Sequence, residues 1–172
     1  MNRIFLIGYM GSGKTTVAKQ LATKLGYSFV DMDAHIEEQQ FKSVGQIFAE
    51  RGEDEFRILE QKCLREVAQF DDVIISTGGG APCFFDNMEY MNTYGTTIYL
   101  RFTADELADR LATQAAKRPL IATKTGNELR QFIADGLEKR ESFYTQANYS
   151  VEGDVNSVVA KIVEIIGNHK NK

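Results

Sequence analysis

Residues 8–15 read Gly-Tyr-Met-Gly-Ser-Gly-Lys-Thr and satisfy the pattern G-x-x-x-x-G-K-[ST]. Glycine tolerates φ > 0 and has no Cβ, so a loop of this composition can turn backbone N–H groups onto phosphate oxygens. Lys14 then reaches the β- and γ-phosphates of a nucleoside triphosphate, and the Thr15 hydroxyl can ligate Mg²⁺. The nucleotide contacts expected from this stretch are Gly11, Ser12, Gly13, Lys14, Thr15 and Thr16.

Two carboxylates, three glycines and several arginines could complete a phosphoryl-transfer site. Ligands of open parallel sheets bind beyond the carboxyl ends of the strands. That selects Asp31 and Asp33, which close an apolar run, over Asp71 and Asp72, which precede one. Asp31 is the best partner for Mg²⁺, through water, because Ser76-Thr77 ends the next run without a carboxylate. Asp33, one period-2 step on, points the same way and can accept a hydrogen bond from an acceptor hydroxyl. Capping of a following helix is the alternative for both.

Gly78-Gly79-Gly80 suits close approach of a ligand to bare N–H groups, or else a tight turn. Arg57, with Glu60 three residues on, is either a braced guanidinium for bidentate capture of an acceptor carboxylate or an exposed ion pair, the second being commoner. Arg140 carries the same ambiguity. Arg118, beside Pro119 in a polar stretch, is better placed to close over transferring phosphate.

These groups need a scaffold to converge. Residues 4–7, 27–31, 73–76, 97–100 and 149–151 read as strands. Helical spacing runs through Val17, Leu21 and Leu25, then over 54–70, 84–92, 104–111, 128–147 and from Val155 onward. Strands alternating with helices give an α/β fold with a parallel sheet. The glycine-rich loop falls between the first strand and the first helix, so a helix N-terminus faces the anion. About forty residues separate the second and third strands, and 113–127 is polar without apolar period. In a phosphoryl-transfer enzyme these are places for an acceptor-binding insert and a lid.

Composition narrows the class further. A chain of 172 residues, 43% hydrophobic and 26% charged, is one domain of ordinary globular type. Its net charge of −4 argues against a general nucleic-acid binder. No window approaches the ~20 apolar residues of a membrane span, and the N-terminus enters the first strand at once, which leaves no room for a signal peptide. A cytoplasmic protein without membrane or nucleic-acid partners is the expectation. Cys63 and Cys83 read as ordinary thiols, and His35 and His169 are too isolated for a metal pair.

The motifs also fall in a familiar order. GYMGSGKTT, FVDMDAHIE (29–37), SVGQIFAERGEDEFRILE (43–60), STGGGA (76–81), RPL (118–120) and Arg140 with Tyr144 and Ala147 behind it resemble the shikimate kinases over residues 4 to about 147. The resemblance implies transfer of the ATP γ-phosphate to the 3-hydroxyl of shikimate, on the route to chorismate and the aromatic amino acids. It implies a three-layer fold like that of nucleoside monophosphate kinases: a five-stranded parallel sheet in the order 2-3-1-4-5, helices on both faces, an acceptor insert and a lid. Residues 33–60 and 112–125 fit those last two parts within a single kinase domain, 1–172.

Carried over by position, Asp33, Arg57, Gly79 and Arg140, with Gly78 and Gly80 alongside, correspond to the shikimate contacts. Lys14, Asp33 and Arg118 correspond to the catalytic groups, Thr15 and Asp31 to the Mg²⁺ positions, and Arg110 to the arginine that stacks on adenine. A monomer using ATP and shikimate is expected. The chain departs from the pattern at Thr15, where Ser is commoner, and at Glu141-Ser142-Phe143, where a Pro usually follows the arginine. The rival on the same scaffold is another small-metabolite kinase, such as a gluconate kinase; a nucleotide-binding module without turnover is the rival of another class.

Overall fold

In the computed structural model residues 2–114 and 120–170 are described. β1 (Arg3–Ile7), β2 (Ser28–Asp31), β3 (Val73–Ser76), β4 (Thr96–Leu100) and β5 (Tyr149–Val151) form one sheet in the order β2-β3-β1-β4-β5. All neighbours are parallel. Asp31 pairs with Ser76 and Leu6 with the same serine, so the carboxyl ends of β1, β2 and β3 share one edge, where the glycine-rich loop leaves β1.

The period of two in β1 explains the three layers. Ile4 and Leu6 face α1 (Lys14–Leu25) and α7 (Val155–Lys170), packing on Val17, Leu21, Val158 and Ile162. Phe5 and Ile7 face the other core, shared by α2 (Met32–Gln40), α3 (Val44–Val67), α4 (Asn87–Tyr94), α5 (Ala104–Ala112) and α6 (Gly126–Tyr144). A one-residue slip would exchange the two faces. Each such side chain, fully buried, contributes about 1.5–3 kcal/mol, so the sheet is held in register from both sides.

Helix boundaries show where local signals win or fail. Gly13 caps α1 at φ 86°, and Gly26 ends it at φ 69°, both left-handed. α3 begins ten residues before the sequence-predicted start at 54, on a capping box in which Ser43 and Gln46 satisfy each other's backbone N–H groups. It breaks at Gly52 (φ 82°, ψ 173°), a backbone state essentially confined to glycine. That interruption hides the early half from a search for one unbroken apolar period.

The helix predicted over 84–92 starts instead at Asn87, because Ala81–Cys83 forms a 3₁₀ turn and Phe84 is extended. The one predicted over 128–147 runs from Gly126 to Tyr144. Among the described residues no helix is long and apolar enough to cross a membrane.

Candidate active site

A cleft of about 680 Å³ opens at the carboxyl edge of the sheet. Its nucleotide half is built mainly from backbone. Gly11 (φ 81°) lies so close to α5 that a Cβ would meet Leu111 at 2.8 Å. The first turn of α1 holds no acidic residue, so its N-terminal partial charge is free to meet an anion. Lys14, 9% exposed, curls over its own loop and donates to the carbonyls of Gly8 (2.7 Å) and Tyr9 (3.1 Å). Gly11, Gly13, Thr15 and Thr16 line the cleft as the sequence suggests.

Ser12 does not. Its hydroxyl is buried without a partner and its N–H donates to the Tyr9 carbonyl at 3.2 Å, which closes the loop's own turn. Met10 takes a place in the lining instead.

Thr15 Oγ1 donates to Asp31 Oδ2 at 2.7 Å and lies 3.4 Å from Ser76 Oγ. Asp31 Oδ1 accepts from the Ala34 N–H at 3.1 Å, capping α2. The capping reading of Asp31 therefore holds for one oxygen, while the other is engaged by the Thr15 hydroxyl. A hydroxyl and a carboxylate in contact at the phosphate edge are the hard oxygen donors that Mg²⁺ takes, so these residues fit that ion.

Arg110 donates to the Gly11 carbonyl at 3.1 Å, and its guanidinium lies over the Phe102 ring at 4.3 Å. Thr113, Gln114 and Val155, which the sequence did not single out, complete this end of the cleft. Arg118 lies outside the described residues.

The acceptor half is made of side chains from three helices, α2, α3 and α6, gathered around Gly78–Gly80. Asp33 reaches the cleft from the first turn of α2, since β2 ends at Asp31; the period-2 argument for its direction fails, although the residue does line the cleft. Gly78 and Gly79 line the cleft, and Gly80 stands behind them. A Cβ on Gly78 would lie 2.7 Å from Glu60 Oε2 and 3.1 Å from Asp33 Oδ1; one on Gly80 would lie 2.6 Å from Arg57 Nη1. Room for the protein's own side chains is thus what requires these two glycines, a reason the sequence reading did not consider.

The exposed ion pair expected for Arg57 and Glu60 is not found. Their exposures are 8% and 1%, and Arg57 Nη1 donates to Glu60 Oε1 at 2.9 Å. Nε and Nη2 donate to Glu53 Oε1 at 3.3 and 3.1 Å, and the guanidinium lies 4.1 Å from the Phe84 ring centre. Glu53, missed in the sequence, is the second brace. The spacing that sets an i,i+3 pair carries no information on burial, and Phe48, Phe56 and Phe84 enclose this one.

Arg140 stands beside Gly79, whose added Cβ would be 3.4 Å from its Nη1, and over the ring of Tyr9 at 5.2 Å. Among the described residues no carboxylate lies within ion-pair distance of it. The Tyr144 hydroxyl donates to the Gly79 carbonyl at 2.6 Å, fixing the peptide between loop and helix.

Burial, and then the charge of Asp31, pushes the Asp33 carboxyl above its usual range, against the pull of Lys14. Burial lifts Glu60 to about 7 even though Arg57 opposes the shift. Asp33 is thereby a stronger base than a solvated carboxylate, and it faces the loop that would hold a terminal phosphate.

The family described as Shikimate kinase matches residues 10–169. The chain belongs to the shikimate kinase family. The shikimate kinase of Parabacteroides distasonis is 53% identical over 173 residues, covering 96% of this chain and 100% of that one. Among solved structures, shikimate kinase from Bacteroides thetaiotaomicron superposes with TM-score 0.91 at 49% identity, covering 96% of this chain and 98% of that one. Shikimate kinase from Acinetobacter baumannii, in complex with shikimate, gives 0.89 at 32% identity, with 100% of this chain and 96% of that one covered.

Proposed function

We propose that the chain transfers the terminal phosphoryl group of ATP to the 3-hydroxyl of shikimate, giving shikimate 3-phosphate and ADP. One observation carries the reading: a phosphate loop with Lys14 faces Asp33 across a single cleft, and two arginines flank the Gly78–Gly80 segment behind it. In this reading Arg57 and Arg140 grip the carboxylate of the hydroxy acid, and Asp33 accepts a hydrogen bond from its reacting hydroxyl.

The bond from the acceptor oxygen to the γ-phosphorus forms as the bond to the ADP bridging oxygen breaks, and the hydroxyl proton passes to Asp33. Lys14 stabilises charge on the transferring group, with Arg118 assigned the same task by family resemblance. Mg²⁺, held by Thr15 and, through water, by Asp31, would neutralise charge on the β- and γ-phosphates. Arg110 is assigned to the adenine face. Residues 33–60 serve as the acceptor insert and 112–125 as the lid of a single kinase domain, working as a monomer in the cytoplasm.

ADP release measured with and without shikimate tests the activity. Shikimate-dependent release is expected. Release that answers to gluconate and not to shikimate would move the assignment to another metabolite kinase, and the absence of acceptor-dependent release would leave a binding module.

A further inference from the structure

Tyr9 belongs to the phosphate loop, yet its ring leaves the loop. The backbone carbonyl accepts from Lys14 and from the Ser12 N–H, whereas the side chain, 2% exposed, lies against α6. Gly136, one helical turn before Arg140, faces the phenol: a Cβ there would come within 2.6 Å of the hydroxyl oxygen and 2.9 Å of a ring carbon. The next turn places the Arg140 guanidinium over the same ring at 5.2 Å. Gly79 is wedged between them, its added Cβ lying 3.4 Å from both Arg140 Nη1 and the Met10 N, and 3.5 Å from the Gly8 carbonyl.

Arg57 is held by two carboxylates; among the described residues Arg140 has none within ion-pair distance, and its neutral partners are the Tyr144 hydroxyl, to which it donates, and the Tyr9 ring. An aromatic face attracts a cation without supplying a negative charge that would compete for its N–H donors. We infer that Tyr9 is a positioning residue for Arg140, standing in for a carboxylate so that the guanidinium stays both fixed and uncompensated for an acceptor carboxylate, and that this fastens acceptor capture to the phosphate loop. The inference deepens the proposed function and rests on it.

The test compares shikimate with its methyl ester, which lacks the negative charge, by titration calorimetry on the full chain alongside ADP. Tyr9→Leu is expected to weaken shikimate about 10-fold while the ester and ADP change less than about twofold. Tyr9→Phe, which keeps the ring, retains the acid affinity. Gly136→Ala, which presses on the ring from the helix side with Tyr9 intact, repeats the Tyr9→Leu pattern and serves if that variant folds poorly. Equal loss for acid and ester in both variants, or unchanged shikimate affinity, overturns the inference. Failure of the unaltered chain to bind shikimate would instead overturn the functional reading beneath it.

Discussion

On the nucleotide side of the cleft, a contiguous stretch of backbone between β1 and α1 presents N–H groups and one lysine; on the acceptor side, Asp33, Arg57, Glu60 and Arg140 come from three separate helices and meet around three glycines. The first half can be assembled by local conformation alone. The second exists only when α2, α3 and α6 are docked on the sheet. Damage to the first should therefore appear in rate with little change in stability, whereas damage to the second should appear in both.

The largest effects test the first statement. Lys14→Ala is expected to lower kcat by ~10²-fold or more with thermal unfolding shifted only slightly, because it holds two carbonyls of its own loop and ties no helix to the sheet through them. Asp33→Asn, on the acceptor side, should follow closely in rate. A large drop in melting temperature for Lys14→Ala would break the contrast.

Arg57→Ala tests the second half. Loss of the guanidinium removes one arm of the proposed acceptor clamp and leaves Glu60, 1% exposed, without its counter-charge. Shikimate affinity should fall more than tenfold with the KM for ATP nearly unchanged, and stability should fall by about 3 kcal/mol. Calorimetry and denaturant unfolding read the two parts separately, and unchanged shikimate affinity would remove Arg57 from the clamp.

A smaller effect sharpens the comparison through pH. The Glu60 carboxyl sits near 7 when folded and near 4.5 otherwise, so between those values the folded chain holds more protons than the unfolded one. Stability should then decrease as pH rises through that window, by on the order of 3 kcal/mol from this group. Glu60→Gln should flatten that slope in unfolding curves measured from pH 4.5 to 8; an unaltered slope would exclude Glu60 as its source.

The same division decided what could be seen in the sequence. The strands, the phosphate loop and the parallel character of the sheet were legible because apolar runs, glycine spacing and crossover handedness are local or nearly so, whereas the strand order came from the family resemblance. Asp33 was placed at the cleft on a mistaken geometry, since nothing before Met32 announces that β2 passes directly into α2. Burial of Arg57 and Glu60 was invisible because it is supplied by Phe48, Phe56 and Phe84, the last from beyond β3. Ser12 was counted as a contact by its place in the motif, although its hydroxyl turns inward. The Ser43–Gln46 capping box was a signal available in the sequence and would have found the start of α3.

Asp31 ties the two halves together with one side chain. One of its oxygens holds Thr15, the other anchors the start of the helix on whose first turn Asp33 sits. In the proposed reaction, the spacing between the hydroxyl offered to the cation and the carboxylate offered to the proton is thus a ruler three residues long, engraved in rigid structure. In the proposed transfer, donor and acceptor would meet at a gap that this one carboxylate sets.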